Sequence, residues 1–396
     1  MAGKKQVIKD MALNIFSGAI PIVVLQLFVL PNLSNYTDAN SYGIIVTILA
    51  MMNTVPSSFG NVLNNVRLLH QEKYESNRDG NNFPILLLIA EFINVILLLI
   101  AGIAYLDKND YLGVTLTVVM GIMWLSKEYH VVAFRLKIDY IKASICNIFL
   151  SVGYVVGYGV FFLTRYWQFI YIVGFLFLYA YLAFNSNILH EKPKITFGFK
   201  QCIFDSITLL VAVILARSIS YADKMLLYPL LGGVSVSIYY AATVLGKVAS
   251  LVVTPINSVA LTYLSKYRKK PDDIFRWTVK NGVFICIIVY LASVVFGKPI
   301  LNVLYPKFAD EAANYIWITS GSIVVSSFTS MVTPFVLKFC NTRWQIIINL
   351  ITTVIYFALS LELTRTMNIM GFCLSVLFAN IVKLTITLIA YYKFSA

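Results

Sequence analysis

Residues 215 to 247 read LARSISYADKMLLYPLLGGVSVSIYYAATVLGK, and the rest of the chain is understood through them. The stretch reads as the outer end of one membrane helix, a Gly232-Gly233 hairpin, and the first half of the next helix. Its charges are out of place. Arg217 and Lys247 lie in apolar surroundings, while Asp223 and Lys224 sit near the turn. A cation at the bilayer centre costs about 3 kcal/mol even on the lenient insertion scale, so it should face a protein interior or a wet cavity.

The 396 residues are 59% hydrophobic and 12% charged, with a mean hydropathy of +0.79. Soluble domains carry about 25% charged residues. The composition therefore predicts an all-α integral membrane protein. Segments of about 20 apolar residues suffice to span a bilayer. Twelve candidates recur, over roughly 11–30, 41–62, 84–106, 111–133, 143–164, 167–188, 202–223, 234–264, 280–297, 312–337, 344–361 and 369–392. The run that follows MAGKKQVIKD reads as a retained first helix, because no small-residue cleavage site follows it.

The net charge of +13 is a matter of topology. With the N-terminus in the cytoplasm, most of the 31 Lys and Arg fall in the loops on that side, with the largest group between Lys266 and Lys280. This fits the positive-inside rule with both termini cytoplasmic. The rule leaves Lys127, Arg217, Lys247 and Lys383 inside helices. No basic domain is present to bind nucleic acid. The five cysteines stand singly and suggest neither a disulfide framework nor a metal site. A GxxxxGK[ST] phosphate loop is also missing, since Gly246-Lys247 has Ala241 where the first glycine belongs and Val248 after it. No cofactor is implied.

The connection from Glu191 to Lys200 divides the chain into two sets of six segments, 1–196 and 197–396. The second segment, with Tyr42 and Pro56, and the eighth, with Tyr239 and Pro255, look like weak copies of each other. Two such bundles around a central cavity, each with the same orientation, make a recurrent transporter plan. Pro21, Pro56, Pro255 and Pro334 fall within segments and are candidates for kinks.

At this point the chain resembles a known family, the Wzx-type polysaccharide flippases of the multidrug/oligosaccharidyl-lipid/polysaccharide exporter superfamily. The resemblance rests on SYGIIVTIL, SSFGNVLNNVRLL, FRLKIDYIKASICNIF, YADKMLLYPLLGGVSVSIYYAATVLGKV, NTRWQIIINLITTVIYFALSLEL and MNIMGFCLSVLFANIVKL, which run in order over nearly the whole chain. It implies a non-enzymatic flippase that moves an undecaprenyl-diphosphate-linked oligosaccharide, an O-antigen or related repeat unit, across the bacterial inner membrane by alternating access. It also implies membrane lipids, a glycan polymerase and a chain-length regulator as partners.

Arg217, Lys247 and Lys383 match the family's habit of placing cations in the cavity. Lys383 lies ten residues before Lys393, about 15 Å from the inner boundary. Arg217 lies twelve residues past Asp205, about 18 Å. Lys247, nineteen residues before Lys266 and so about 28 Å away, belongs to the outer half. The alternative is internal pairing, with Asp223 holding Arg217 or Lys247. Glu91 and Lys127 lie at similar depth and predict either a buried pair or a carboxylate that takes up H⁺ or Na⁺ to couple transport, and Asp223 is the other acid available for coupling. Arg67 either meets the lipid phosphate or anchors the topology.

Two other functions compete. A drug/cation antiporter of the same superfamily would want acids in the cavity, yet four intramembrane cations stand against one clear acid, Glu91. A membrane-embedded glycan polymerase would want a large outer loop or an Asp/His cluster, while His70, His130 and His190 read as isolated.

Overall fold

The structure is a computed structural model, and it describes residues 17–70, 81–106, 109–195, 198–264, 272–340 and 343–394. These residues are almost entirely helical. The helices are α1 (Ser17–Tyr36), α2 (Ala39–Leu69), α3 (Phe83–Tyr105), α4 (Tyr111–His130), α5 (Tyr140–Thr164), α6 (Gln168–Asn185), α7 (Phe199–Leu264), α8 (Asp272–Leu304), α9 (Ala309–Phe339) and α10 (Arg343–Phe394). Among the described residues, nine helices or helix portions are long and apolar enough to cross a membrane.

The 66 residues of α7 are interrupted at Gly232, whose φ of 78° and ψ of 175° leave helical space, so α7 has two limbs. Asn368 does the same in α10 with φ of 52° and ψ of −134°. Across that break Ser360 and Ser375 meet at 2.9 Å. The predicted Gly-Gly turn is therefore present, but the first limb of α7 runs on past Asp223 and Lys224, which lie within the helix. The segment predicted over 280–297 is longer, and α8 has 33 residues. Asp272 and Asp273 stand in its first turn, where they complement the helix dipole. It also runs through Pro299.

Local chemistry sets several other ends. Asp38 accepts the Ser41 amide at 2.9 Å and caps α2. The Ser41 side chain and amide together hold its carboxyl below the usual carboxylate range. Asp110 caps α4 through the Gly113 amide at 2.9 Å. Asp139 caps α5 through the Lys142 amide at 3.0 Å. In α1 a π-helical stretch, Val24–Val29, begins three residues after Pro21. Pro56 and Pro334 lie inside α2 and α9.

Contacts divide the chain into two compact units. Unit 1 is Thr47–Met225 together with the chain up to Leu33, and unit 2 is Ser34–Val46 with Leu226–Ala396. In unit 1, α5 and α6 form the most extensive seam, and α4 packs on α3 and α6. Trp124 of α4 stacks on Tyr171 and meets Phe175 edge-on. In unit 2, α9 packs on α8 and α10. Phe275 stacks on Tyr391 with Phe335 edge-on beside them. The start of α2 joins this unit. Gly43 lies directly against the Gly233 backbone, and Gly233 against Asn40, with no room for a Cβ at either glycine. Tyr42 packs there among Tyr240, Tyr305 and Phe308. Outward, Phe92, Ile100, Phe284, Val295 and Leu350 are exposed, as lipid-facing helices require. Only 11% of the most apolar window of α8 is buried inside the protein.

Candidate functional site

The end of α2 carries Arg67 into a closed network. Its guanidinium binds both carboxylate oxygens of Glu191, one of them at 2.7 Å, and also donates to the Tyr129 hydroxyl. It lies over the Phe83 and Tyr129 rings. Asn81 donates to the same carboxylate at 2.9 Å, and its backbone pairs with Lys192 and Lys194. The side chains of Arg67 and Glu191 are 12% and 23% exposed. This is the bidentate, charge-assisted geometry in which Arg binds a carboxylate most strongly. The donors that one of the two readings of Arg67 assigns to a lipid phosphate are already engaged. One turn on, His70 meets Asp205 at 2.8 Å, so His70 is not isolated.

Lys127 and Glu91 do not pair. Lys127 reaches Glu128 at 2.7 Å and lies over the Trp124 and Phe175 rings. Glu128 also accepts from Asn61 at 3.3 Å. Glu91 accepts from the Ser126 hydroxyl at 2.7 Å and from the Asn94 amide at 3.4 Å. Among the described residues no cation pairs with it. Lys127 is drawn to the adjacent acid, and the aromatic faces of Trp124 and Phe175 add a favourable site for its ammonium.

Asp223 pairs with its neighbour Lys224, whose side chain is 4% exposed. Of the two alternative pairings of Asp223, that with Arg217 is not formed, and that with Lys247 lies outside the described residues. Arg217 is half-buried and donates to the main-chain carbonyl of Asn53 at 2.8 Å. Pro56 withholds its amide from the neighbouring Met52 carbonyl, four residues back, so the Asn53 acceptor lies beside a gap in the α2 hydrogen-bond ladder. The side chain of Lys247 lies outside the described residues. Lys383, in the second limb of α10, is half-buried, and its ammonium has no hydrogen-bond or ion-pair partner among the described residues. One turn earlier, Asn380 donates to the Ser322 hydroxyl at 2.8 Å.

Unit 2 also holds a small pocket between the second limb of α7, α8 and α9, lined by Gly246, Cys286, Ser293, Ser320 and Ser327 among others. The Ser320 hydroxyl is buried there without a partner among the described residues. No sequence signal distinguished Ser320 from the many other serines of this chain. The partners of Glu91 were missed for the same reason, since Ser126 and Asn94 carry no charge pattern that announces them.

The chain has the fold of solved multi-helix membrane transporters over nearly its full length. It is similar to the lipid II flippase MurJ in an inward closed conformation, with a TM-score of 0.72 at 13% identity, covering 97% of this chain and 86% of that one. It is also similar to an outward-facing multidrug resistance MATE family transporter of the MOP superfamily, with a TM-score of 0.64 at 13% identity over 97% and 94% of the two chains. A MATE in the bent conformation gives 0.62 at 10% identity over 96% and 92%. No family model and no curated protein matches the chain in sequence. At these identities the likeness is one of fold.

Proposed function

We propose that the protein is a flippase for a lipid-linked oligosaccharide, moving an undecaprenyl-diphosphate-linked repeat unit across a bacterial inner membrane by alternating access. It is a transporter and not an enzyme. In this reading the chain crosses the membrane twelve times, with α7 and α10 each crossing twice, and both termini are cytoplasmic. The halves are 1–196 and 197–396.

The observation that carries the reading is Lys383, an ammonium inside an apolar helix with no acid paired to it among the described residues. Such a charge is costly in the membrane unless an anion or water meets it. Arg217, held by one carbonyl, keeps donors for a diphosphate, and Lys247 extends the cationic path. Arg67 and Lys127 would serve the cargo only by exchanging carboxylate partners, as would Lys224 before Asp223 served in coupling. Glu91, with no cation paired to it among the described residues, is the coupling group for H⁺ or Na⁺. The fold shared with a lipid II flippase supports this reading.

The MATE likeness and Glu91 favour a second reading, a drug/cation antiporter. A deletion strain separates the two. Accumulated lipid-linked oligosaccharide with lost surface glycan is expected. Normal glycan with raised sensitivity to cationic drugs would overturn the flippase in favour of the antiporter.

A further inference from the structure

Glu91 sits on a helix face where water has no lateral approach. Its neighbours Leu88 and Phe92 are 66% and 69% exposed, so that face of α3 is set for hydrocarbon. A proton must therefore reach the carboxylate from within the protein. The Glu91 carboxylate accepts from Ser126 at 2.7 Å, and the Tyr179 hydroxyl lies beside Ser126. Tyr179 in turn meets His130 Nδ1 at 3.3 Å. His130 is the last residue of α4, so the chain of groups leads from within the α3–α4–α6 seam to the end of a helix.

We propose that His130, Tyr179 and Ser126 form a proton path to Glu91. The proposal rests on the reading of Glu91 as the coupling group and deepens it by naming the ion as H⁺. Serine and tyrosine hydroxyls each donate one proton and accept others, which is what a relay requires. The transfer balances. Protonated His130 gives its Nδ1 proton to the Tyr179 oxygen, the Tyr179 proton passes to Ser126, and the Ser126 proton passes to Glu91. His130 and Glu91 both end neutral, so no net charge is left in the apolar seam.

A second observation points to a protonated Glu91. Asn94 is fully buried, and its amide oxygen has no partner among the described residues. Amide oxygen and nitrogen exchange places by a simple flip. A flipped Asn94 would present that orphan acceptor to the new O–H of the acid. The ionised and the neutral carboxyl each then have a partner in the same residue.

The charged and titratable groups facing the path are Glu128 and Cys146 beside Tyr179, and the Arg67–Glu191 pair beside His130. The Arg67–Glu191 pair is internally neutral. Among the described residues, neither Cys146 nor Glu128 hydrogen-bonds Glu91, Ser126, Tyr179 or His130.

The test is a pH jump on the full-length protein in proteoliposomes, with the carboxylic-acid C=O stretch followed by infrared absorption. The wild-type band should rise as pH falls and vanish in Glu91→Gln. Persistence of the band in Glu91→Gln would sink the coupling reading itself. With the band assigned, Tyr179→Phe should slow its appearance about tenfold or more while leaving its midpoint pH unchanged. Ser126→Ala should slow it likewise and also raise the midpoint, because a donor to the ionised carboxylate is lost, and in Tyr179→Phe the phenylalanine ring keeps the packing of α6. Protonation of Glu91 at the wild-type rate in both variants would overturn the path and leave coupling by Glu91 standing.

Discussion

Unit 1 neutralises most of its half-buried charges pair by pair: Arg67 with Glu191, Lys127 with Glu128, His70 with Asp205, and Lys224 with Asp223, while Glu91 and Arg217 rest on neutral hydrogen-bond partners. In unit 2 the described ion pair is Lys298 with Asp310, which lies at the surface, and Lys383 stands within its helices with no acid paired to it among the described residues. The contrast separates two uses of charge. A pair buried with its hydrogen bonds satisfied holds helices in register. A lone cation in an apolar setting is a standing cost that only an external anion or water relieves.

The comparison breaks most visibly at Arg67. Arg67→Ala strands the Glu191 carboxylate and should destabilise the protein by about 3 kcal/mol, read by thermal unfolding in detergent. Glu191→Gln placed on that variant should recover part of the loss, because the uncompensated charge is gone. Arg217→Ala should cost only about 1 kcal/mol, one hydrogen bond to the Asn53 carbonyl, yet abolish glycan display at normal protein levels. Lys383→Met should hold stability or raise it by up to about 1 kcal/mol while also abolishing display. If Lys383→Met destabilised the protein as Arg67→Ala does, the contrast between the units would disappear. The smallest effect belongs to Asp38. Its lowered carboxyl makes its capping contribution complete at neutral pH and lost as pH falls through the folded value, so amide exchange at the start of α2 should quicken only in acid.

Much of this was legible in the residues. Apolar length and turn residues locate most helices, and the Gly232-Gly233 break falls where it was expected. The first limb of α7 was expected to stop at Asp223 because adjacent charges usually end a membrane helix. They neutralise each other instead, and the helix continues through Pro229 to the glycines. The expected ends of α8 were misled by its charged start and Pro299, both of which the helix absorbs. The electrostatic pairings were least legible. Glu191 meets Arg67 across 124 positions of sequence, and only tertiary packing decides that. The same holds for Ser126 and Tyr179, ordinary residues whose meaning comes from what lies beside them.

The contact of Gly43 with Gly233 has a mechanical consequence. Side chains that interdigitate must be frozen each time a surface closes, at a cost of up to about 2 kcal/mol apiece. Bare backbone against bare backbone has no rotamers to freeze and no knobs to disengage. Such a joint behaves as a smooth bearing surface. It closes to one depth or not at all, and the methyl group of a single alanine would act as a shim.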